Sequence, residues 1–331
     1  MNFMMKKFSR CGLLALLSFM VLSMASVTAQ GAVSDATFLD LCESGTVQDV
    51  RRAIRNGANV NAKDKDGRTP LMSSEVLRDP EKLRVLLNAK ANVNAKDKNG
   101  QTALMEAISH SYLASEANPE VIEALLDAGA NVNAKDKDGR TALMQLGPIG
   151  PMEMIVRLLL SAGADVNAKD KNGRTALMNE DLSLDGMRLL IRAGADVNAK
   201  DKNGETPLIR AVKGGWTVKA VGNGIGGYPE EVKLLLDAGA DVNAVDKKGH
   251  DALWYAQDNY RRAAKLKETL FKGEYDRDMY DMLKDEYNML WNARNNDQIV
   301  AMLKKRKGSL GARQSTPKQT SKPQTRPAGR R

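Results

Sequence analysis

Histidine and cysteine, side chains that readily act as metal ligands or nucleophiles, are rare in this chain, which has two of each among 331 residues. His110 has no second histidine or cysteine near it, and His250 follows a turn glycine where other parts of the chain place arginine or glutamine. A zinc site needs three or four converging ligands. The sequence therefore predicts no metal site and no catalytic centre built on histidine or cysteine.

Other residue types that support catalysis also lack the required pattern. The glycines at 222–227 do not lead into the Lys-Ser/Thr ending that a phosphate-binding loop requires, and no Gly-x-Ser-x-Gly phrase occurs. Carboxylates are numerous, but they recur in polar turn phrases instead of forming a pair in an apolar setting. Cys42 has no evident basic partner in its helix and is interpreted as a small core residue. We therefore expect no enzyme activity, no catalytic residue and no cofactor.

The net charge of +9 is concentrated at the two ends of the chain. Residues 1–29 contain three basic residues and residues 304–331 contain ten, with no acidic residue in either segment. The remaining body has 37 basic and 41 acidic residues, which gives it a net charge of −4. We therefore expect no nucleic-acid groove across the body of the protein.

The basic C-terminal segment is a candidate polyanion site. Residues 307–331 are rich in Ser, Thr, Pro and Gln and have no apolar periodicity, so this tail is predicted to be disordered. Its charge would attract an anionic lipid or polymer of the cell envelope, or it could serve only to keep the protein soluble. The basic residues that represent this hypothesis are Lys304, Lys305, Arg306, Lys307, Arg330 and Arg331.

Residues 1–29 have the organisation of a secretory signal peptide. Three basic residues precede a short apolar stretch over 12–27, and small residues at its end predict cleavage after Ala29. The alternative is an uncleaved membrane anchor. Cleavage would leave Cys42 as the only thiol and so no internal disulfide, which suits a bacterial protein. We expect export to the periplasm or out of the cell.

Two short phrases recur six times each at intervals close to 33 residues. The first, Asp-Lys-(Asp/Asn/Lys)-Gly-x-(Thr/Asp)-(Pro/Ala)-Leu, begins at Asp64, Asp97, Asp136, Asp170, Asp201 and Asp246. The second, x-Ala-(Asp/Asn)-Val-Asn-Ala, ends at Ala62, Ala95, Ala134, Ala168, Ala199 and Ala244. Internal repeats of this length are typical of a solenoid built from stacked units.

The chemistry of each phrase predicts a local structure. Asp-Lys-x-Gly is turn chemistry, in which the glycine is free to take a positive φ. The Thr that comes next, or Asp251 in the last copy, is placed to cap a first helix. The glycine that opens the second phrase is placed to end a second helix in the left-handed conformation. Lys90 replaces that glycine in one copy, at an expected cost of about 1 kcal/mol.

These phrases resemble those of the ankyrin repeat over residues 34–257. The resemblance implies an all-α solenoid of stacked helix-turn-helix units with β-hairpin tips, in which partners are held on the concave face of hairpins and first helices. The usual histidine after the Leu is replaced, mostly by methionine, a change that we interpret as apolar packing.

The repeat phrases divide the chain into segments, with degenerate helical caps expected at both ends. A signal peptide over 1–29 precedes an N-terminal capping repeat over 30–63. The copies then occupy 64–96, 97–135, 136–169, 170–200, 201–245 and 246–257, the last being only the start of a unit. A C-terminal helical cap over 258–306 precedes the disordered basic tail over 307–331.

Candidate binding residues come from what differs between copies and from the turn tips. Two copies, 97–135 and 201–245, exceed 33 residues by six and twelve residues, which are inserted between their two helices. Insertions in repeat proteins often lie on the binding face. The first contains Tyr112, and the second contains Trp216 and Tyr228 in a glycine-rich stretch, although Trp216 could instead pack as local core. The tip lysines, such as Lys65, Lys98 and Lys137, form a ladder along one edge, or are simply solvated turns.

The sequence thus predicts a monomeric, non-catalytic interaction protein of the cell envelope or exterior, with the solenoid binding a protein partner. Two alternatives stay open. One is an envelope-associated structural protein tethered to an anionic surface by its basic tail. The other is an exported effector that binds a host protein.

Overall fold

The computed structural model describes residues 33–110, 118–147, 152–179, 182–213, 229–259, 261 and 297–309. The chain divides into two compact units, residues 1–92 and residues 93–331. Within the described residues no helix is long and apolar enough to cross a membrane. The described residues of each unit form helices joined by turns.

The first unit is a small stack of helices. Its helices are Asp35–Ser44, Val47–Arg55, Ser74–Arg78 and Pro80–Asn88, with a 3₁₀ turn at Pro70–Met72. Asp35–Ser44 packs on Ser74–Arg78, while Val47–Arg55 packs on Pro80–Asn88. Phe38, Cys42 and Val50 are fully buried between them, as expected for a core of small and medium apolar side chains.

In the second unit, first and second helices form two layers. The first layer contains Ala103–His110, Ala142–Gln145, Ala176–Met178, Pro207–Lys213 and 252–259. The second contains Pro119–Asp127, Met152–Ser161, Leu184–Arg192 and Pro229–Asp237. Successive members of each layer pack on one another, and at least one leucine of each second-helix pair is fully buried.

Three of the first helices are shorter than the repeat pattern predicts. The segments Pro70–Met72, Ala142–Gln145 and Ala176–Met178 are single 3₁₀ turns instead of α-helices. In these copies the preceding threonine does not cap a helix, because its buried hydroxyl has no hydrogen-bond partner; these residues are Thr69, Thr141 and Thr175. The predicted cap forms where an α-helix comes next, as at Thr102, whose Oγ1 accepts from Met105 N at 3.4 Å.

The tip turns are closed by the repeated aspartate. In the turn at Asp136, one carboxylate oxygen accepts hydrogen bonds from the backbone of Asp138 and of Arg140, both at 2.8 Å. The same two bonds form in every copy, from Asp64 to Asp246. The tips, expected as β-hairpins, form without strands in the described residues, where the β pairing is a single bridge between Val245 and Asp251.

In the second unit, successive tips touch through their backbones. The N–H of Lys137 donates to the carbonyl of Asn99 at 2.8 Å, and the same bond recurs at Lys171, Lys202 and Lys247. The tip glycines have φ near +78°, as the turn chemistry predicts. At Gly100 an added Cβ would also lie 2.9 Å from the Lys137 nitrogen, so the close approach requires glycine as well.

The asparagine of the second phrase joins each copy to the next. Asn133 donates through Nδ2 to the carbonyl of Gly163 at 2.9 Å and accepts through Oδ1 from Asp165 N at 2.7 Å. Asn94, Asn167 and Asn198 form the same pair of bonds. These bridges satisfy backbone groups left unpaired where the second helix ends.

Lys90 is the one described residue other than glycine with a positive φ, at 65°. It ends the helix Pro80–Asn88 where the equivalent copies use glycine, as the sequence predicted. Lys90→Gly should therefore raise the free energy of unfolding by about 1 kcal/mol, because glycine adopts this conformation without steric cost. Urea unfolding followed by circular dichroism measures the change. Lys90→Ala serves as the control, and a gain of the same size there would contradict this conformational explanation.

The helix 297–309 packs against the last described copy of the second unit. Ile299 and Leu303 are fully buried, and Arg306 donates to the carbonyl of Leu236 at 2.8 Å. Lys307 forms a 2.5 Å ion pair with Asp251. The helix thus continues past residue 307, where the sequence analysis placed the start of the disordered tail.

Candidate functional site

Two side-chain positions of the second unit vary from copy to copy and share one surface. They are the fourth and the ninth residues after the aspartate that opens each turn. The fourth-position residues are Gln101, Arg140, Arg174, Glu205 and His250. The ninth-position residues are Glu106, Gln145, Asn179, Arg210 and Tyr255. Since the turn and the first helix position both, the surface lies on the side that the ankyrin resemblance assigns to partners.

This surface contains a groove of about 320 Å³ across three consecutive copies. We call it the arginine groove; it is lined by Asp138, Arg140, Met144, Asp170, Asn172, Arg174, Thr175, Met178, Asn179 and Arg210. Its two methionines are the last apolar residues of the shortened first helices, and both are buried. The groove therefore has an apolar floor and a polar, largely charged lining.

On one side of the arginine groove the polar side chains are bonded to one another. Asp136 accepts hydrogen bonds at 3.1 Å from the side-chain amides of both Gln101 and Gln145. Gln145 also accepts from the hydroxyl of Ser109 at 2.9 Å. Gln101 at the fourth position of one copy thus forms a closed hydrogen-bond network with Asp136 and Gln145 of the following copy.

At the groove the equivalent residues are Arg174, Asp201 and Arg210, which are charged and lie farther apart. The buried carboxylate of Asp201 has Arg174 Nε at 3.9 Å and an Nη of Arg210 at 3.8 Å. Both distances exceed hydrogen-bonding range, and Asp201 Oδ2 and Arg174 Nε have no hydrogen-bond partner. The attraction is that of an ion pair without a direct hydrogen bond.

Arg210 holds the base of the groove together. Its side chain is 8% exposed, and it donates to Glu205 at 3.0 Å and to the carbonyl of Met178 at 3.2 Å. Glu205 is also bonded by Lys213. Because Met178 ends a 3₁₀ turn, its carbonyl lacks a helical partner, and the guanidinium of the next copy supplies one.

An aromatic cluster lies beyond Arg210 at the last copy. The rings of His250 and Trp254 stack in parallel with centroids 3.5 Å apart, and Lys213 lies 5.3 Å from the ring centroid of Tyr255. The Tyr255 hydroxyl donates to Asp246 at 2.6 Å. Burial alone would raise the pKa of Asp246, but this bond and two backbone N–H groups lower it below its usual range.

The predicted binding residues fall into two groups. Tyr112, Trp216 and Tyr228 lie outside the described residues. Lys65, Lys98 and Lys137 are exposed at the turn tips and do not line the arginine groove.

The basic residues proposed to bind polyanions are likewise only partly described. Arg330 and Arg331 lie outside the described residues, while Lys304 and Lys305 are exposed on the last helix. Arg306 and Lys307 are bonded within the protein, to Leu236 and Asp251.

The cysteine and the histidine side chain that the structure describes are packed against other parts of the protein. Cys42 is fully buried, and burial raises the pKa of its thiol to about 12, so the nucleophilic thiolate is strongly disfavoured. His250 stacks on Trp254, and the side chain of His110 is not among those described. In the described ranges no three His, Cys, Asp or Glu side chains are grouped to hold a metal ion.

The sequence analysis did not identify Arg140, Arg174 and Arg210 as site residues. The available signal was variation between copies, because the fourth and ninth positions change in charge and size while the surrounding phrases repeat. Only the structure shows that Gln145, at the ninth position of one copy, donates to Gln101, at the fourth position of the copy before it. It likewise shows that Arg174 and Arg210 approach the same carboxylate, that of Asp201.

Comparison with known proteins places the repeats in context. The family model described as ankyrin repeats (3 copies) matches residues 38–136, 111–179, 150–225 and 179–276. The solved ankyrin repeat domain of Bcl-3, described as a unique member of the IkappaB protein family, is 27% identical with a TM-score of 0.50. That alignment covers 66% of this chain and 92% of the Bcl-3 chain.

A second solved structure is the ankyrin repeat protein EF0377, which is 28% identical with a TM-score of 0.48. Its alignment covers 60% of this chain and 92% of the other. No curated protein matches the sequence.

Proposed function

The chain belongs to the ankyrin-repeat family, and we propose that it is a non-catalytic module that binds a protein partner through the arginine groove and the adjoining side chains. Ankyrin repeats in general are protein–protein interaction modules. The groove lies on the side formed by turns and first helices, where the family resemblance implies that partners bind.

One observation carries this proposal. Between Gln101 and Tyr255 the backbone contacts of the turns repeat almost unchanged from copy to copy. The ninth position differs in each of these five copies, and the fourth position differs except for the two consecutive arginines, Arg140 and Arg174. The repeated residues form the turns and the asparagine bridges that hold the stack together. Gln145, Glu205, Arg210 and Tyr255 are buried, but the other variable residues, including Arg140 and Arg174, are accessible. These accessible residues are left to distinguish one partner from another, because specificity depends on the particular side chains presented.

A pull-down from a cell-envelope extract, using residues 30–331 as bait, tests the proposal. The Arg140→Gln/Arg174→Gln variant should lose the partner or retain it at least about tenfold less well, because arginines commonly contribute 1–2 kcal/mol or more at interfaces. Glutamine is a conservative choice, since Gln101 occupies the same position in a neighbouring copy.

The matched control changes two arginines on the second helices. Arg157 and Arg188 are 59% and 49% exposed, and their ion pairs with described residues are within their own helices, to Glu153 and Asp185. Arg157→Gln/Arg188→Gln should retain the partner. Equal retention by both double variants would contradict a binding site at the arginine groove.

We further propose that the protein is exported and that residues 1–29 are removed. The support is the three basic residues, the short apolar stretch and the small residues up to Ala29. The mass of the protein recovered from its native cells tests this, because uncleaved chain at full mass would contradict export by this route.

The basic end is a second candidate contact, with an anionic envelope surface. It is supported by ten basic and no acidic residues over 304–331, although Arg306 and Lys307 also bond within the protein. Salt screens contact through the exposed charge of the tail, and it also weakens a contact made by the arginines of the groove. The same pull-down with and without residues 310–331 separates the two contacts, because binding at the groove does not need those residues.

A further inference from the structure

Arg140 and Arg174 bring hydrogen-bond donors into the arginine groove that the described residues leave largely unused. A guanidinium has five N–H donors. Arg140 donates one of them to the carbonyl of Met144 at 3.4 Å. Arg174 has its Nε buried without a hydrogen-bond partner, 3.9 Å from Asp201, although its side chain is 43% exposed. The groove therefore offers donors to a ligand that supplies acceptors.

The same position in the neighbouring copies is used differently. Gln101 is bonded to Asp136, and Glu205 is bonded to Arg210 and Lys213. Arg140 and Arg174 are thus two consecutive copies of one position, placed side by side and both accessible, between copies whose equivalent residue is bonded internally. This local change in residue type gives the groove its donor character.

The charges around the groove favour a single carboxylate over an extended polyanion. Asp138 and Asp170 share the lining with the arginines, so the net positive potential is small. Binding to a polyanionic surface depends on a large positive potential. A carboxylate can instead accept two parallel N–H bonds from one guanidinium, which depends on geometry more than on net charge.

The floor of the groove suits the chain that would carry this carboxylate. Met144 and Met178 line it and are 6% and 3% exposed. Methionine is flexible and polarizable, and it adapts to apolar side chains of different shape. An acidic residue flanked by apolar ones would meet both the guanidinium groups and the thioethers.

We propose that the arginine groove recognises a carboxylate of a protein partner, carried by an Asp or Glu side chain or by a chain terminus and held by Arg140 and Arg174. This inference rests on the proposed function and specifies the chemistry of the partner. Arg210 acts as a positioning residue that fixes the base of the groove through Glu205 and Met178.

Arginine Nε–H signals of the ¹⁵N-labelled full chain provide a direct test. The signals of Arg140 and Arg174 are identified by their loss in Arg140→Gln and Arg174→Gln. Three peptides serve as probes: acetyl-Leu-Glu-Leu-amide, acetyl-Leu-Gln-Leu-amide, and acetyl-Leu-Leu-Leu with a free carboxyl terminus. We expect the glutamate peptide to shift both signals with a dissociation constant on the order of 1 mM, as suits a short ligand.

The glutamine peptide should shift neither signal, and the Arg140→Gln/Arg174→Gln variant should bind the glutamate peptide at least about tenfold more weakly. A shift by only the free-terminus peptide would support the proposal and identify a chain end as the source. No shift with either carboxylate peptide would overturn it. Equal shifts with the glutamine peptide, or equal shifts of the Arg157 and Arg188 signals, would also overturn it.

The two proposals fail in different ways. If the pull-down partner requires Arg140 and Arg174 but neither carboxylate peptide moves their signals, groove binding stands and carboxylate recognition is wrong. If the glutamate peptide moves the signals but the partner binds the double variant normally, the groove binds carboxylates and the proposed partner site is wrong.

Discussion

Arg210→Met is expected to lower the free energy of unfolding by about 3 to 5 kcal/mol at neutral pH. The side chains of Asp201 and Glu205 are 1% and 4% exposed, and the guanidinium is their shared neighbour. Among the described residues, its removal would leave Glu205 paired with the half-exposed Lys213 and Asp201 with Arg174 at 3.9 Å, so the buried negative charge would be poorly compensated. Urea unfolding followed by circular dichroism measures the loss.

Two further variants show whether buried charge is the cause. Arg157→Met removes an ion pair with Glu153 in which both side chains are more than half exposed, and it should cost less than about 1 kcal/mol. Adding Glu205→Gln to Arg210→Met should restore about 1 kcal/mol or more, because one unpaired buried charge is removed. A loss below about 1 kcal/mol in Arg210→Met would contradict a stabilising role for this network.

Gly100→Ala is expected to lower the free energy of unfolding by about 3 kcal/mol. Of this, about 1 kcal/mol is the cost of a positive φ for a residue with a Cβ, since φ at Gly100 is +78°. The remainder, about 2 kcal/mol, comes from overpacking, because the new Cβ would lie 2.9 Å from the backbone nitrogen of Lys137. Urea unfolding of the variant measures the total.

Gly249→Ala provides a matched control for that contact. Gly249 has the same φ of +78° in the equivalent turn, but none of the described residues has an atom within 4 Å of an added Cβ. The turn phrase does not recur after this copy in the sequence. It should cost only about 1 kcal/mol. Equal losses at Gly249 and Gly100 would show that contact between successive tips contributes little.

The local signals in the repeated phrases were sufficient to predict much of the fold. Glycines at the tips and at the ends of second helices have the positive φ values that their positions require. Asp251 caps the last first-layer helix by accepting from Trp254 N at 2.7 Å, as its chemistry indicated. Five of the six residues that replace the usual histidine, including Met72 and Met105, are buried, while Trp254 is half-buried and stacks on His250.

The shortening of three first helices was not predicted, although part of the signal was present. The copy that begins at Asp136 has Gly147-Pro148 soon after its 3₁₀ turn, and the residue before a proline disfavours helix. The phrase Thr-Ala-Leu-Met is the same at Thr102 and Thr141, yet it leads into an α-helix in the first case and a 3₁₀ turn in the second. The length of the helix therefore depends on the residues C-terminal to the phrase.

The arginine groove could not be found from local sequence, because its residues meet across copies. Arg174 and Arg210 are 36 positions apart, and both approach Asp201 from different copies. A repeat pattern reveals which positions vary but not which of them touch. The aromatic residues in the insertions were predicted as binding residues from their type. The arginines were not, because charged residues are common at solvent-exposed positions.

Because the asparagine bridges use only repeated residues, a copy can be added without changing the side chains that contact a partner. Each bridge joins a side-chain amide to backbone groups of the following copy, such as Asn133 to Gly163 and Asp165, and uses no variable side chain. A tandem duplication of residues 136–169 would therefore carry its own joint and would bring a second Arg140 into line with the first. Duplication of whole copies would lengthen the binding surface of the protein. Substitutions at the fourth and ninth positions of the new copy would then change its binding specificity, while the asparagine bridge to the next copy stays the same.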